Sequence, residues 1–229
     1  MTSATSDNDS YAAPSPGKPV MRGYLHFGAA IAMVVGTGIL LFLSANDPAK
    51  QISLLIYGAS CVVLFGMSAL YHIINWNPRQ RALLRRLDHA NIFLLIAGTY
   101  TPVAFNLMTA GWRVGILVAV WALAVIGIAT VAPALRLPRG FVAGLYIATG
   151  WIALAAIPEI FAQHGWGALL MLLTGGLLYT AGALAYALKR PRLWPHVFGY
   201  HELFHLGTIA ANAVFFAFML VFVLPAVRH

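Results

Sequence analysis

The stretch YLHFGAAIAMVVGTGILLFLS, residues 24–44, decides the fold class. It is apolar almost throughout, and His26 is its only ionisable side chain with a charge near neutral pH. A helix needs about 20 apolar residues to cross the hydrocarbon core of a bilayer. The stretch therefore predicts a transmembrane helix.

The rest of the chain repeats this pattern. Of its 229 residues, 61% are hydrophobic and 9% are charged, whereas about 25% of a soluble domain is charged. We predict an all-α integral membrane protein in which residues 21–229 form one domain of seven transmembrane helices. The predicted spans are residues 24–44, 52–74, 88–108, 112–133, 141–160, 167–188 and 198–225.

The first 20 residues, MTSATSDNDSYAAPSPGKPV, have a different composition. They are rich in serine, aspartate, alanine and proline, and such a segment buries too little apolar surface to offset the entropy lost on ordering. We predict that residues 1–20 are a disordered cytoplasmic tail.

The basic residues indicate the orientation. Eleven of the 14 lysines and arginines fall in the tail and in the second, fourth and sixth connections, and only Lys50, Arg113 and Arg228 fall on the other side. The positive-inside rule then places the N-terminus in the cytoplasm and the C-terminus outside. Because the net charge of +8 follows this topology, we expect membrane lipids as partners and no nucleic acid. Topology and attraction to anionic headgroups also explain NPRQRALLRRLDHA, residues 77–90.

Five polar residues fall at one predicted depth. Ser68 and His72 share a helical face at the end of the second span, and Asp88 lies in the first turn of the third. His201 and His205, one turn apart, begin the seventh span. Ionisable groups inside a membrane are expensive and mark functional sites by default.

Three imidazoles and a carboxylate at a common depth predict a metal site near the cytoplasmic side. The ligand set His72, His201 and His205 suits Zn²⁺ with one open position, as in catalytic zinc sites. In this arrangement Asp88 either holds and deprotonates a water molecule or orients a ligand imidazole. Ser68 is a candidate hydrogen-bond donor to that water or to a developing oxyanion.

The remaining histidines have a simpler interpretation. A single histidine near the end of a span usually extends to the interface or bonds a backbone carbonyl. We expect this of His26, His89, His164, His196 and His229.

Three motifs give the sequence a family resemblance. SALYH (residues 68–72), LDHANIFLLIAGTYTP (residues 87–102) and HELFH (residues 201–205) resemble the hemolysin III family, the bacterial branch of the progestin and adipoQ receptor superfamily. The resemblance implies a zinc ion held by His72, His201 and His205 with Ser68 and Asp88 nearby, in the cell membrane. It also implies kinship with the alkaline ceramidases, which are membrane-embedded, metal-dependent hydrolases.

Two functions remain open at this point. The first is zinc-dependent hydrolysis of an amide or ester bond in a ceramide-like lipid, with Asp88 and Ser68 as the catalytic residues. The second is a non-enzymatic role, either as a sensor of membrane lipid state or as the channel-forming, cytolytic protein that the family name implies.

The literal H-E-x-x-H of residues 201–205 also fits an intramembrane metalloprotease. That interpretation needs a third ligand, for which Asp88 competes with the better placed His72. Glu202 lies about 100° around the helix from His201, so we expect it to be solvated or outside the ligand set. Bis-histidine haem is disfavoured because both histidines lie on one face of one helix.

Overall fold

The computed structural model of the chain describes residues 21, 23–131, 137–191, 194 and 197–228. The predicted tail, residues 1–20, lies outside this range. A 3₁₀ segment, Trp151–Ala156, joins the fifth helix to the sixth, and a π-helical turn, Met219–Val223, follows the last. The α-helices are α1 Tyr24–Leu43, α2 Pro48–Ile73, α3 Pro78–Leu107, α4 Ala110–Val131, α5 Arg139–Gly150, α6 Ile157–Leu188 and α7 Tyr200–Phe218.

The described helices confirm an all-α integral membrane protein. Six helical stretches are long and apolar enough to cross a bilayer. Large apolar side chains also cover the outer surface: Phe42 is 79% exposed and Leu188 is 69% exposed. Such a surface is stable in lipid and unfavourable in water.

Helices α2 and α3 begin several residues before their predicted spans. Proline occupies the first turn of both α2 and α3, and the preceding residue caps each helix. Asp47 accepts a hydrogen bond from the Lys50 backbone at 3.0 Å, and Asn77 accepts one from the Gln80 backbone at 2.9 Å. Helix α3 therefore starts at Pro78 and not at residue 88. Its first turns carry arginines, which the hydropathy pattern assigns to a connection.

The stretch Arg139–Leu188 contains 50 residues, and its helical geometry breaks at Gly165, where φ is 68° and ψ is −165°. Glu159 accepts a hydrogen bond from the Thr109 backbone at 2.9 Å, beyond the end of α3. The Tyr186 hydroxyl lies 3.2 Å from Nε2 of His89, near the start of α3. Tyr146 also donates to the His89 carbonyl oxygen at 3.0 Å, so contacts near the start of α3 come both before and after the contact to its other end.

We name the two ends of the bundle from these contacts. The histidine end is where α2 finishes and α3 and α7 begin. The opposite end is where α1 and α3 finish and α2 begins.

One face of α2 is buried against neighbouring helices along its length, and this face also bears the site residues Ser68 and His72. Tyr57, Cys61, Leu64, Ser68 and His72 recur at intervals of three or four and are all buried. Neighbouring helices approach closely at glycines: Gly58 packs against Thr37, and Gly98 packs against Ser60, with no room for a Cβ atom. This packing fixes the side of α2 that carries Ser68 and His72.

Candidate metal site

Three histidines from two helices meet at the histidine end. His72 lies in the last turn of α2, and His201 and His205 lie in the first two turns of α7. The Nε2 atoms of His72 and His201 are 3.1 Å apart. One potential ligand atom from each of the three side chains lies within 4.8 Å of the others. The predicted ligand set is thus brought together.

The donor set fits zinc. Neutral imidazole is a common zinc ligand, with Zn–N distances of about 2.0–2.1 Å, so two ligand nitrogens on one ion lie at most about 4.2 Å apart. The pair His72 and His201 meets this limit at 3.1 Å. The full set, within 4.8 Å, requires a side-chain movement of less than about 1 Å to meet the same limit.

The predicted carboxylate, Asp88, and the predicted hydroxyl, Ser68, also lie near the three histidines. Asp88 Oδ2 lies 4.0 Å from His72 Nε2, the same nitrogen that faces His201. The buried Ser68 side chain lies beside the Asp88 carboxyl group, and both line one cavity. Asp88 therefore approaches the side of His72 that faces the other histidines.

Glu202 has a structural role that the sequence analysis missed. Its side chain is 0% exposed, so the expectation of a solvated glutamate is wrong. Oε2 accepts a hydrogen bond from the Gly199 backbone N–H at 2.9 Å. Glu202 thus satisfies a free donor at the start of α7, as the third residue of a capping box does, and this fixes the turn that carries His201.

His26 also departs from its expected position. It does not extend to the interface, because it is 2% exposed and packs inside the bundle. Its ring lies flat on that of His205, with centroids 3.8 Å apart and planes 11° from parallel. No described group meets hydrogen-bonding geometry with either ring nitrogen.

The stacked geometry bears on metal binding. The lone pair of a ring nitrogen lies in the ring plane, so an ion bound by His205 lies in the plane of that ring. Two stacked rings whose centroids are 3.8 Å apart and whose planes are 11° from parallel do not share an ion that lies in the plane of both. His26 therefore supports the ring of His205 and is not a ligand of the same metal.

Two of the remaining histidines match their expected roles. His89 Nδ1 lies 2.7 Å from the Arg85 carbonyl oxygen, and His164 Nε2 lies 3.0 Å from the Leu107 carbonyl oxygen. Both bond the backbone as predicted. His196 and His229 lie outside the described residues.

An apolar cavity runs from the histidines into the bundle. Its volume is about 110 Å³, and Ser68, Asp88, His201 and His205 form its polar end. A second cavity of about 70 Å³ shares walls with it at Thr99, Tyr100, Trp151 and Phe215. The candidate site therefore borders an apolar interior space that continues toward the opposite end.

Comparison with known proteins identifies the family. The sequence profile described as "Haemolysin-III related" matches residues 15–216. The chain belongs to the haemolysin III family. It is therefore a multi-pass protein of the cell membrane.

The chain is also similar to individual proteins, two of them named for hemolysin 3 and one for the adiponectin receptor. "Hemolysin-3" of Bacillus cereus is 34% identical over 209 residues, which cover 86% of this chain and 88% of that protein. "Hemolysin-3 homolog" of Bacillus subtilis (strain 168) is 28% identical over 200 residues, which cover 82% and 90% of the two chains. The "Adiponectin receptor protein" of Drosophila melanogaster is 26% identical over 218 residues, which cover 83% of this chain and 47% of that receptor.

Proposed function

We propose that this haemolysin III protein is a zinc-dependent hydrolase that cleaves an amide or ester bond in a ceramide-like membrane lipid. One observation carries the proposal. Three imidazoles lie within metal-binding distance of one another, and two of them, His201 and His205, line the polar end of an apolar cavity together with a carboxylate and a hydroxyl. Such a cavity suits an acyl chain, and its polar end would meet the carbonyl group at the head of that chain.

In this proposal His72, His201 and His205 hold the zinc ion. When bound, zinc supplies Lewis-acid activation of water and of an acyl carbonyl. The approach of Asp88 to the Nε2 side of His72 supports a role as proton acceptor for the attacking water. Ser68 lies beside Asp88 in the cavity wall, which supports a role as hydrogen-bond donor to the carbonyl oxygen as that oxygen gains charge.

The decisive experiment compares two aspartates. The purified protein is assayed for zinc content and for fatty-acid release from ceramide and from an ester analogue, beside Asp88→Asn and Asp47→Asn. Asp47 caps α2 at the opposite end, and asparagine preserves such a cap, so Asp47→Asn is a matched control.

We expect Asp88→Asn to keep its zinc and to lose about 10²–10⁴-fold in rate, the usual contribution of a general base. Asp47→Asn should retain the wild-type rate. Zinc-loaded wild-type protein that releases no fatty acid from either substrate, yet conducts ions in liposomes, would replace the hydrolase with a channel.

The glutamate of H-E-x-x-H has a separate test. Glutamine still accepts a hydrogen bond from the Gly199 backbone, so Glu202→Gln should retain the cap, the zinc and most of the activity. Hydrolysis abolished in Glu202→Gln with zinc retained would restore the metalloprotease-like role of that glutamate.

We also propose seven crossings with a cytoplasmic N-terminus. The contacts of Glu159 and Tyr186 at opposite ends of α3 support two crossings by Arg139–Leu188, and the biased basic residues support the orientation. Single cysteines introduced at Gln80 and at Asn46 test both points. An impermeant thiol reagent applied to intact cells should label Asn46→Cys and leave Gln80→Cys unlabelled, and the reverse pattern would invert the topology.

A further inference from the structure

A second cavity opens at the histidine end, outside the apolar one. This vestibule has a volume of about 790 Å³, and its walls come from α3, α5 and the ends of α2, α6 and α7. Arginines dominate its charged lining: Arg81, Arg85, Arg86 and Arg139 face it together with Asp88.

These arginines are not balanced by acids. Among the described residues, no carboxylate forms an ion pair with Arg81, Arg85 or Arg86. Arg81 and Arg85 are one turn apart on α3, and like charges at that spacing destabilise a helix. The chain therefore keeps a concentration of positive charge at some energetic cost.

Arg139 is held in place from the other side of the vestibule. Its guanidinium donates to the Tyr200 hydroxyl at 3.3 Å and lies 5.5 Å from the centre of the Tyr186 ring. A guanidinium fixed in this way presents its remaining donors in one direction and loses little entropy on binding an anion.

The positive-inside rule does not explain why four arginines line one vestibule. It requires only that cations lie on the cytoplasmic side, and Arg79 meets that requirement while lying outside the vestibule wall. Arg79 is exposed in the same turn of α3. A substitution of Arg79 therefore changes the charge on this side of the membrane without changing the vestibule wall.

The vestibule and the apolar cavity meet at the candidate site. Asp88, His89, Tyr186 and His201 line both spaces. An amphiphile that extends through the junction would place its chain in the apolar cavity and its headgroup among the arginines. Its carbonyl group would then lie beside the histidines.

We propose that the vestibule binds the phosphate group of an anionic acyl lipid, so that the preferred lipid is negatively charged and not a neutral ceramide. Arginine pairs bidentately with phosphate, and such charge-assisted bonds are roughly twice as strong as neutral ones. The binding site stands independently; only the cleavage step rests on the proposed function. In that step water adds to the acyl carbon and the bond from that carbon to the ester oxygen or amide nitrogen breaks. The products are a carboxylate, a proton, and an alcohol or amine that retains the phosphate.

Binding of short-chain lipids tests the proposal. Dioctanoyl phosphatidic acid, dioctanoylglycerol and glycerol 3-phosphate are titrated into the full-length protein in non-ionic detergent, and heat is measured. The variants are Arg81→Gln, Arg85→Gln and the matched control Arg79→Gln.

We expect phosphatidic acid to bind at least about tenfold more tightly than either other ligand, because only it fills both spaces. Arg81→Gln and Arg85→Gln should each weaken its binding by about tenfold, the effect of losing one charge-assisted bond. Arg79→Gln should stay within about twofold of wild type.

Three outcomes would overturn the proposal. Equal weakening by Arg79→Gln and Arg81→Gln would assign the effect to general surface charge. Equal affinity for dioctanoylglycerol would assign it to the apolar cavity alone. Equal affinity for glycerol 3-phosphate would make the vestibule a site for free anions.

The same titration of His205→Ala separates this proposal from the hydrolase. Selective binding of phosphatidic acid by a protein without hydrolytic activity would retain the headgroup site and remove the enzyme. Hydrolysis of neutral and anionic lipids at equal rates, unaffected by Arg81→Gln, would retain the enzyme and remove the headgroup site.

Discussion

The two ends of the bundle differ in what surrounds their polar side chains. At the opposite end the groups satisfy one another: Lys50 Nζ donates to the carbonyl oxygens of Leu224 and Ala226 at 2.7 Å and 2.8 Å. Arg228 donates to Asp47 at 2.6 Å. At the histidine end, three imidazoles and four arginines surround open space.

This difference separates structural roles from functional ones. Paired groups in a membrane protein satisfy the backbone and close the bundle, and they leave nothing to bind a ligand. Groups that line a cavity face space that a ligand can occupy. The histidine end thus holds the candidate binding site, and the opposite end is a clasp that holds α2 to the C-terminal segment.

The largest expected effect comes from exchanging one histidine at each end. His205→Ala removes one of three ligands and should reduce zinc affinity by more than the 10–100-fold typical of changes outside the ligand set. His164→Ala, at the opposite end, should retain zinc. Metal content after dialysis measures both variants, and stoichiometric zinc in His205→Ala would contradict the site.

The clasp has its own test. Lys50→Met leaves two carbonyl oxygens at the end of the π-helical turn without their donor, which should lower the free energy of unfolding by about 1–3 kcal/mol. Zinc content should remain unchanged. The midpoint of thermal unfolding in detergent measures the effect beside Arg79→Met, an exposed charge with no described ion pair. Equal midpoints for Lys50→Met and the wild type would show that the clasp contributes nothing.

Substitutions of His26 test whether this residue binds the metal or only packs against His205. His26→Phe preserves a flat ring against His205, so zinc affinity should change by less than about tenfold, below the range for loss of a hydrogen-bonding partner. His26→Ala removes the ring and should destabilise the protein by about 2–4 kcal/mol, the scale of a large-to-small core substitution. Loss of zinc in His26→Phe with normal stability would make His26 a ligand.

The smallest effect concerns pH at the opposite end. The Arg228 guanidinium holds the pKa of the Asp47 carboxyl below its ordinary value. The carboxylate therefore contributes stability above the unfolded pKa of about 4, and this contribution is lost as pH falls through the lower folded pKa. The difference in unfolding midpoint between wild type and Arg228→Gln should be small at pH 6, because the pair is partly exposed to solvent. It should shrink further by pH 3. A difference that grows on acidification would reverse the assigned sign.

Much of the fold was accessible from the sequence because apolar run length is a strong signal in membranes. Helix α1 matches its predicted span to within one residue, and the break at Gly165 falls in the predicted connection between the fifth and sixth spans. The 3₁₀ segment Trp151–Ala156 gave no signal, since its residues are as apolar as their helical neighbours. The seven-span count and the orientation stay predictions.

The candidate site could be predicted because its residues share one predicted depth in the membrane. His72, His201 and His205 lie near helix ends on the same predicted side. Asp88 was expected in the first turn of its helix and lies about three turns into α3, but the fold still brings it to His72. His26 was missed although it lies in the first turn of a span that begins on that side, so the same rule applied to α1 would have included it. Hydropathy alone does not indicate which face of α1 meets α7, and the stacking on His205 depends on that face.

If a lipid occupies the adjoining cavities, as proposed, the stability of this protein depends on its lipid surroundings. A lipid that fills them binds the folded chain and not the unfolded one, so it stabilises the fold by mass action, by about 2.7 kcal/mol at 100 times its dissociation constant. Protein stripped of lipid during purification should therefore unfold at a lower temperature than protein in its native membrane. The melting temperature thereby becomes a measure of cavity occupancy, and a panel of lipids ranked by the increase they cause would identify the natural occupant without any assay of turnover.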